Sequence, residues 1–315
     1  MSKKIWLLVV MSLALMVSIA AFGVTAQKVE SGTWTASLVD DNSKLDLNLE
    51  LRTEQSEKSE GSEKHGRHRM GQTYQFSELQ GLTRESAVAG GAVRFSIVRE
   101  AGTIECEGSF QNRKGTGTFR FTANPGFVSA MKSRGFDFEK ESRWNNKGHV
   151  EDRLFTATAL NITTALADDL SSAGFGKLDV GDLFKAKIFK IDSSFMREMK
   201  ASGYPNLDME DLVKARIFKI DAKFLSEATQ MGFTKEPFES LVKMRIFKVT
   251  PEFIAEVRNE GLSDLSVEGI VKLRIFKIDG EAIRKAKAEG VPAEVEPLVK
   301  WRLGVSAERN NRRAI

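Results

Sequence analysis

After residue 155 the chain repeats itself every 29 residues, and no other feature limits its fold as strongly. The strings AKIFKID (186–192), ARIFKID (215–221), MRIFKVT (244–250) and LRIFKID (273–279) fall in register. A divergent last copy, WRLGVS (301–306), arrives one residue early, and a divergent first copy ends at Asn161-Ile162-Thr163. Gly174, Gly203, Gly232, Gly261 and Gly290 keep the same step. A period of this length marks an array of small supersecondary units, each covering the next.

Each copy reads as two short helices. Leu212, Val213 and Ile217 carry the apolar stripe of the first, and Phe224, Leu225 and Ala228 that of the second. Asp192, Asp221, Thr250 and Asp279, with Thr163 and Ser306 at the ends, supply N-caps between them, and Pro251 stands where a first-turn proline is tolerated. The recurring glycine follows about eleven residues later, where a left-handed residue closes a helix. One hairpin buries about four or five large apolar side chains at roughly 1.5 to 3 kcal/mol each, against an ordering cost of about 1 kcal/mol or more per residue. No copy stands alone, so neighbours must stack. The array is expected over 156–306, after a helical connection over 125–155 and before a disordered tail at 307–315. In that connection Pro125-Gly126-Phe127 to Gly135 matches the second helix of a copy, and Phe136 to Gly148 is an extra polar link.

Residues 27–124 follow a different period. Apolar and polar residues alternate from Trp34 to Leu38 and at Leu45, Leu47, Leu49 and Leu51, as half-buried strands require. Further strands are expected at Tyr74 and Phe76, Val93 to Ile97, Ile104 to Phe110, and Phe119 to Phe121, the last three joined by turns at Glu100-Ala101-Gly102 and Asn112 to Gly115. The fold class that follows is α+β: an N-terminal antiparallel β-meander, closed as a small barrel or sandwich or covered by helices, then a C-terminal array of helical hairpins. A charged loop at 54–71 is expected to be flexible; its His65 and His68 are spaced H-x-x-H but make a poor metal site alone.

The first 26 residues read as an export signal: Lys3 and Lys4, the uncharged run Ile5 to Phe22, then Val24-Thr25-Ala26 as the cleavage site. Removal after Ala26 leaves a secreted or periplasmic protein with no transmembrane span; the alternative is an uncleaved N-terminal anchor. The formal charge of +4 comes from 47 Lys+Arg against 43 Asp+Glu; without Lys3 and Lys4 it falls to about +2, too weak to suggest nucleic acid. Cys106 is the sole cysteine, so no internal disulfide forms, and its place in an alternating run marks a buried small hydrophobe.

Stacked copies align a basic face: Lys185, Lys214, Lys243, Lys272 and Lys300 in one column, and Lys187, Arg216, Arg245, Arg274 and Arg302 in another, with Lys190, Lys219, Lys248 and Lys277 beside them. An anionic partner is one reading: an acidic protein, a phospholipid headgroup layer or a wall polymer. The other is a self-paired face, because Glu210, Glu239, Glu268 and Glu296 precede Lys214, Lys243, Lys272 and Lys300 by four residues, the favourable intrahelical order. The exposure of Phe189, Phe218, Phe247 and Phe276 is open at this level. Catalytic patterns such as H-E-x-x-H, G-x-S-x-G and the P-loop do not occur. Ser129 to Lys132 and Ser240 to Lys243 match S-x-x-K without the S-D-N and K-T-G that accompany it in penicillin-recognising enzymes. No catalytic, cofactor or metal residues are assigned.

The strings Glu100-Ala101-Gly102-Thr103, Cys106-Glu107-Gly108-Ser109-Phe110, Gly115-Thr116-Gly117-Thr118-Phe119 and Asn124-Pro125, followed by helical repeats, resemble the exported C-terminal region of BlaR-type antirepressor metallopeptidase membrane proteins and of related stand-alone exported proteins. Val249-Thr250-Pro251-Glu252-Phe253 matches part of the I-H-G-V-T-P-E-F turn of those repeats; here Phe-Lys replaces H-G, and only Gly304 keeps the glycine. The chain lacks the membrane helices and H-E-x-x-H of the peptidase part, so the resemblance implies an accessory extracytoplasmic module. The expectation is a non-enzymatic interaction module that binds a protein or anionic envelope component. An extracytoplasmic sensor or regulator acting with a separate membrane peptidase is the first alternative, and a cell-envelope hydrolase the second.

Overall fold

A computed structural model describes residues 29–53, 66–140 and 149–305. The segment 1–26 read as an export signal, His65 and the 307–315 tail lie outside them. The chain divides into two compact units between Asn124 and Pro125.

The first unit is a six-stranded antiparallel sheet. Its strands are β1 (Val29–Val39), β2 (Lys44–Thr53), β3 (Gly66–Gln75), β4 (Gly91–Arg99), β5 (Gly102–Gln111) and β6 (Lys114–Ala123), in the order β3-β2-β1-β6-β5-β4. Two meanders are therefore joined through β1 and β6. The turn at Asn112 and Arg113 has both residues at positive φ, as a two-residue hairpin turn matched to strand twist requires. One face buries Leu45, Leu47, Leu49, Leu51, Phe95, Ile97, Ile104, Phe119 and Phe121.

Trp34 on β1 and Phe95 on β4 stand three strands apart, about 14 Å in a flat sheet. Their ring centroids are only 5.4 Å apart, because the indole reaches across the two strands between them. Glycines make room for that reach. In the row Leu49, Trp34, Gly117, Gly108, Val93 the indole lies over the two glycines, and a Cβ at Gly108 would come within 2.6 Å of the Trp34 ring. The indole N–H donates to the Glu107 and Thr118 carbonyls at 3.2 and 3.1 Å.

Neither a closed barrel nor a sandwich forms, because β3 and β4 remain the two ends of one sheet. Residues 76–90 do not pair β3 with β4. They run through a 3-10 turn (Phe76–Glu78) and helix α1 (Arg84–Ala89), which bury Leu79, Leu82 and Ala87 beside β4 and β5. This segment packs against the β4 end of the sheet. Gln80 also exchanges two backbone hydrogen bonds with Ser96, at 2.9 and 2.8 Å, protecting part of the β4 edge. Residues 66–71, expected in the flexible loop, belong to β3, where His68 faces Leu51 across the ladder.

The second unit is helical: α2 (Pro125–Lys132), α3 (Val150–Leu160), α4 (Thr164–Ser172), α5 (Val180–Phe189), α6 (Ser193–Ala201), α7 (Met209–Phe218), α8 (Ala222–Gln230), α9 (Phe238–Ile246), α10 (Pro251–Asn259), α11 (Val267–Ile275), α12 (Gly280–Ala288) and α13 (Val295–Arg302). Helices α3, α5, α7, α9, α11 and α13 pack in sequence as one layer, with α2, α4 and α6, and α10 with α12, in the other. The N-caps act as read: the side chains of Thr163, Asp192, Asp221, Thr250 and Asp279 accept from the backbone N–H three residues on.

Both helices of a pair end left-handed. Gly203, Gly232 and Gly261 close the second at φ of 95 to 100°, as expected. The first ends at Asn161, Lys190, Lys219, Lys248 and Lys277, with φ between 52 and 56°, the position that Gly304 takes at the end of α13. The next amide then reaches back to the last turn, as Ile220 N–H does to the Ala215 carbonyl at 2.8 Å.

The boundary drawn at 155 falls inside α3, most of which is buried. The link after Gly135 is also less polar than expected. Phe136 and Phe138 are core, Phe138 packs between Phe127 and Phe184, and the buried Arg153 donates to its carbonyl at 2.7 Å.

Candidate functional site

The basic face begins with lysines on the first helices. Lys185 meets Glu210 at 2.5 Å and Asp182 at 3.3 Å. Lys214 pairs with Glu239, Lys243 with Glu268 at 3.7 Å, and Lys272 with Glu296. Each glutamate lies on the next helix of the layer, so the pairs join neighbouring copies and the intrahelical pairing read from the four-residue spacing is replaced. Packing explains this: adjacent first helices present these side chains to one another, while the i, i+4 partner competes in open solvent. Burial works against the charge on Lys185, but its hydrogen bond to Glu210 and the charges of Asp182 and Glu210 outweigh it and raise its pKa. The hydrogen bond to Glu239 likewise raises Lys214, and that from Lys272 lowers Glu296.

The arginine column turns inward. The guanidinium of Arg216 lies 3.7 Å from the ring centroid of Phe195, that of Arg245 4.0 Å from Phe224, and that of Arg274 4.6 Å from Phe253. Arg245 also donates to the Lys219 carbonyl at 3.2 and 2.7 Å, Arg274 to the Phe247 carbonyl at 2.9 Å and Arg302 to the Phe276 carbonyl at 3.2 Å. Those carbonyls end the preceding first helix, where a helix dipole favours a cation. One arginine thus bridges both helices of the copy before it.

Sequence reasoning missed a third join. Asp169, Glu198 and Glu256 accept from the first amides of the following second helices, those of Ser193, Ala222 and Gly280, at 2.9 to 3.0 Å. The signal was present as acids at 169, 198, 227 and 256, in step with the period. At the fourth junction Pro251 has no N–H to offer, and Glu227 instead lies 3.9 Å from Lys223.

What these joins leave over is a row at the C-terminal ends of the first helices. Ile188, Ile217, Ile246 and Ile275 are between 43% and 53% exposed, and Leu303 56%. Phe189, Phe218, Phe247 and Phe276 beside them are half-buried, so they are neither pure core nor a free stripe. The left-handed Lys190, Lys219, Lys248 and Lys277 are exposed and take part in no ion pair among the described residues, and the same holds for Lys187 and Lys300.

The remaining candidates have structural partners. Ser129 donates to the Pro125 carbonyl at 3.4 Å, and Lys132, whose pKa the hydrogen bond to Glu139 raises, also lies near Asp137. Ser240 is buried while Lys243 points to Glu268. Cys106 is buried with its thiol pKa pushed up by desolvation. No group of three or more potential metal-ligating side chains converges among the described residues. No helix among them is long and apolar enough to cross a membrane. Compared with known proteins, the chain matches no family model, no curated protein and no solved structure.

Proposed function

We propose that the protein is an exported, non-enzymatic interaction module whose 29-residue helical repeats bind a protein or anionic envelope component. The observation that carries this reading is the leftover row. Most of the polar columns are spent joining one copy to the next, whereas an exposed isoleucine and an unpaired lysine recur at one place in successive copies. Each of these isoleucines gives about half of its surface to solvent, in step with the period. The N-terminal signal-like segment and the resemblance to exported repeat regions support placement outside the cytoplasm.

Affinity capture from an envelope extract tests the proposal, using the chain from Gln27 beside a variant with Ile188, Ile217, Ile246 and Ile275 changed to Ser. A partner held by the first and released by the second is the expected result. Identical capture by both overturns it.

A further inference from the structure

Resting on that reading, we propose that the row is a lipid-surface contact: Ile188, Ile217, Ile246 and Ile275 enter the headgroup boundary of an anionic phospholipid layer, and Lys190, Lys219, Lys248 and Lys277 meet its phosphates.

Charge complementarity is the first argument. The glutamates of the first helices are held by Lys185, Lys214, Lys243 and Lys272. The aspartates two residues beyond the row's lysines, Asp192, Asp221 and Asp279, turn their carboxylates to backbone amides at 2.8 to 2.9 Å. The ammonium groups of the row are therefore left to an outside anion.

Composition separates a lipid layer from a protein partner. Interface cores between proteins are enriched in Tyr, Trp and Arg and depleted in Lys. Here Arg216, Arg245 and Arg274 are folded onto Phe195, Phe224 and Phe253, and the charge presented outward is lysine beside isoleucine and phenylalanine. Lysine on a long apolar stem next to aliphatic and aromatic side chains is the chemistry of surfaces that lie in a bilayer interface. Periodicity adds a third argument. Adjacent packed helices lie about 8 to 10 Å apart, so the row offers one weak contact at each such step. A lipid layer presents the same phosphate and acyl chemistry at every step, while a folded partner would have to match the period.

Flotation with vesicles tests this. The chain from Gln27, which keeps every described residue, is mixed with vesicles of 30% phosphatidylglycerol in phosphatidylcholine or with phosphatidylcholine alone. Binding to the anionic vesicles that weakens with salt is expected. The first variant carries Lys190→Asn, Lys219→Asn, Lys248→Asn and Lys277→Asn. Asn161 already holds this position at φ 56°, so the backbone is preserved and circular dichroism should match the parent. Each lysine near an anionic surface is worth about fivefold in binding, so a loss on the order of several hundredfold is expected. A second variant with the four isoleucines changed to Ser should lose about tenfold or more while its residual binding stays salt-sensitive.

Equal binding of the asparagine variant and the parent overturns the proposal, as does a parent that prefers neither vesicle. If the parent ignores vesicles but holds an envelope protein that the serine variant releases, the lipid assignment falls and the interaction reading stands. If neither variant alters any capture, both fall.

Discussion

The guanidinium of Arg245 lies 4.0 Å from the ring centroid of Phe224 while donating twice to the carbonyl of Lys219, so one side chain ties together both helices of the preceding copy. A column that looks in the sequence like a surface for anions is in large part internal joinery. Planarity explains the choice of residue, since a guanidinium can stack on a ring and donate in its own plane at once.

Removing that join should cost stability more than surface charge would. Arg245→Ala is expected to destabilise the helical unit by about 2 kcal/mol, and Arg245→Lys to recover less than half, because an ammonium cannot stack and fork together. Urea denaturation followed by circular dichroism measures both. A neutral Arg245→Ala would mean that the stacking contributes nothing.

The left-handed lysines should respond in the opposite direction. A non-glycine residue in that conformation costs about 1 to 2 kcal/mol, and glycine's extra unfolded-state freedom returns about 0.5 to 1 kcal/mol of it. Lys219→Gly is therefore expected to raise stability by about 0.5 to 1 kcal/mol, and to add with Lys277→Gly two copies away. A lowered melting temperature would contradict the positive φ of 54° at Lys219.

Trp34 gives a test in the sheet unit. A Cβ at Gly117 would sit 2.0 Å from the Glu107 carbonyl oxygen and 2.7 Å from the indole nitrogen. Gly117→Ala should cost about 3 kcal/mol or more and shift tryptophan emission to the red as the indole meets water. Wild-type stability in this variant would contradict the close approach of the indole to the Gly117 backbone.

Cys106, the sole thiol, should be silent in the folded protein. Burial raises its pKa and denies reagents access, so alkylation by a maleimide at pH 7 is expected to proceed only at the rate at which the sheet opens. Rapid labelling of native protein would contradict its buried placement between Phe95 and Phe119, its neighbours in the ladder.

Acid should loosen the second-helix layer through Asp169. The Ser193 hydroxyl, at 2.6 Å, and then its amide hold the carboxyl below its ordinary value. A lowered folded-state pKa means stability that is present above the ordinary aspartate pKa, about 4, and lost as pH falls through the lowered value. Ser193→Ala removes the larger cause, so the difference in urea midpoint between pH 7 and pH 3 should shrink. An unchanged difference would remove Asp169 from the acid response.

Much of the secondary structure was legible because it is set by local rules. Alternation at Leu45 to Leu51 requires a strand with one wet face, and Asp192, Asp221 and Asp279 cap helices wherever those helices go. The loop assigned to 54–71 overran because Gly66 to Gly71 carries a polar string whose strand state depends on pairing with β2, a partner outside any local window.

The 29-residue period, the N-caps and closing glycines of the second helices and the apolar sides of the strands other than β3 follow from local order along the chain. What the polar columns do follows from helix packing. Whether Glu239 reaches Lys243 on its own helix or Lys214 on the neighbour depends on how the helices pack side by side, and the ion pair forms with Lys214. The same holds for the sheet. Residues 76–90 carry no mark saying that they pack beside β4 and β5 rather than bring β3 and β4 together, because either path buries similar side chains, and the choice rests on the course of the chain in three dimensions.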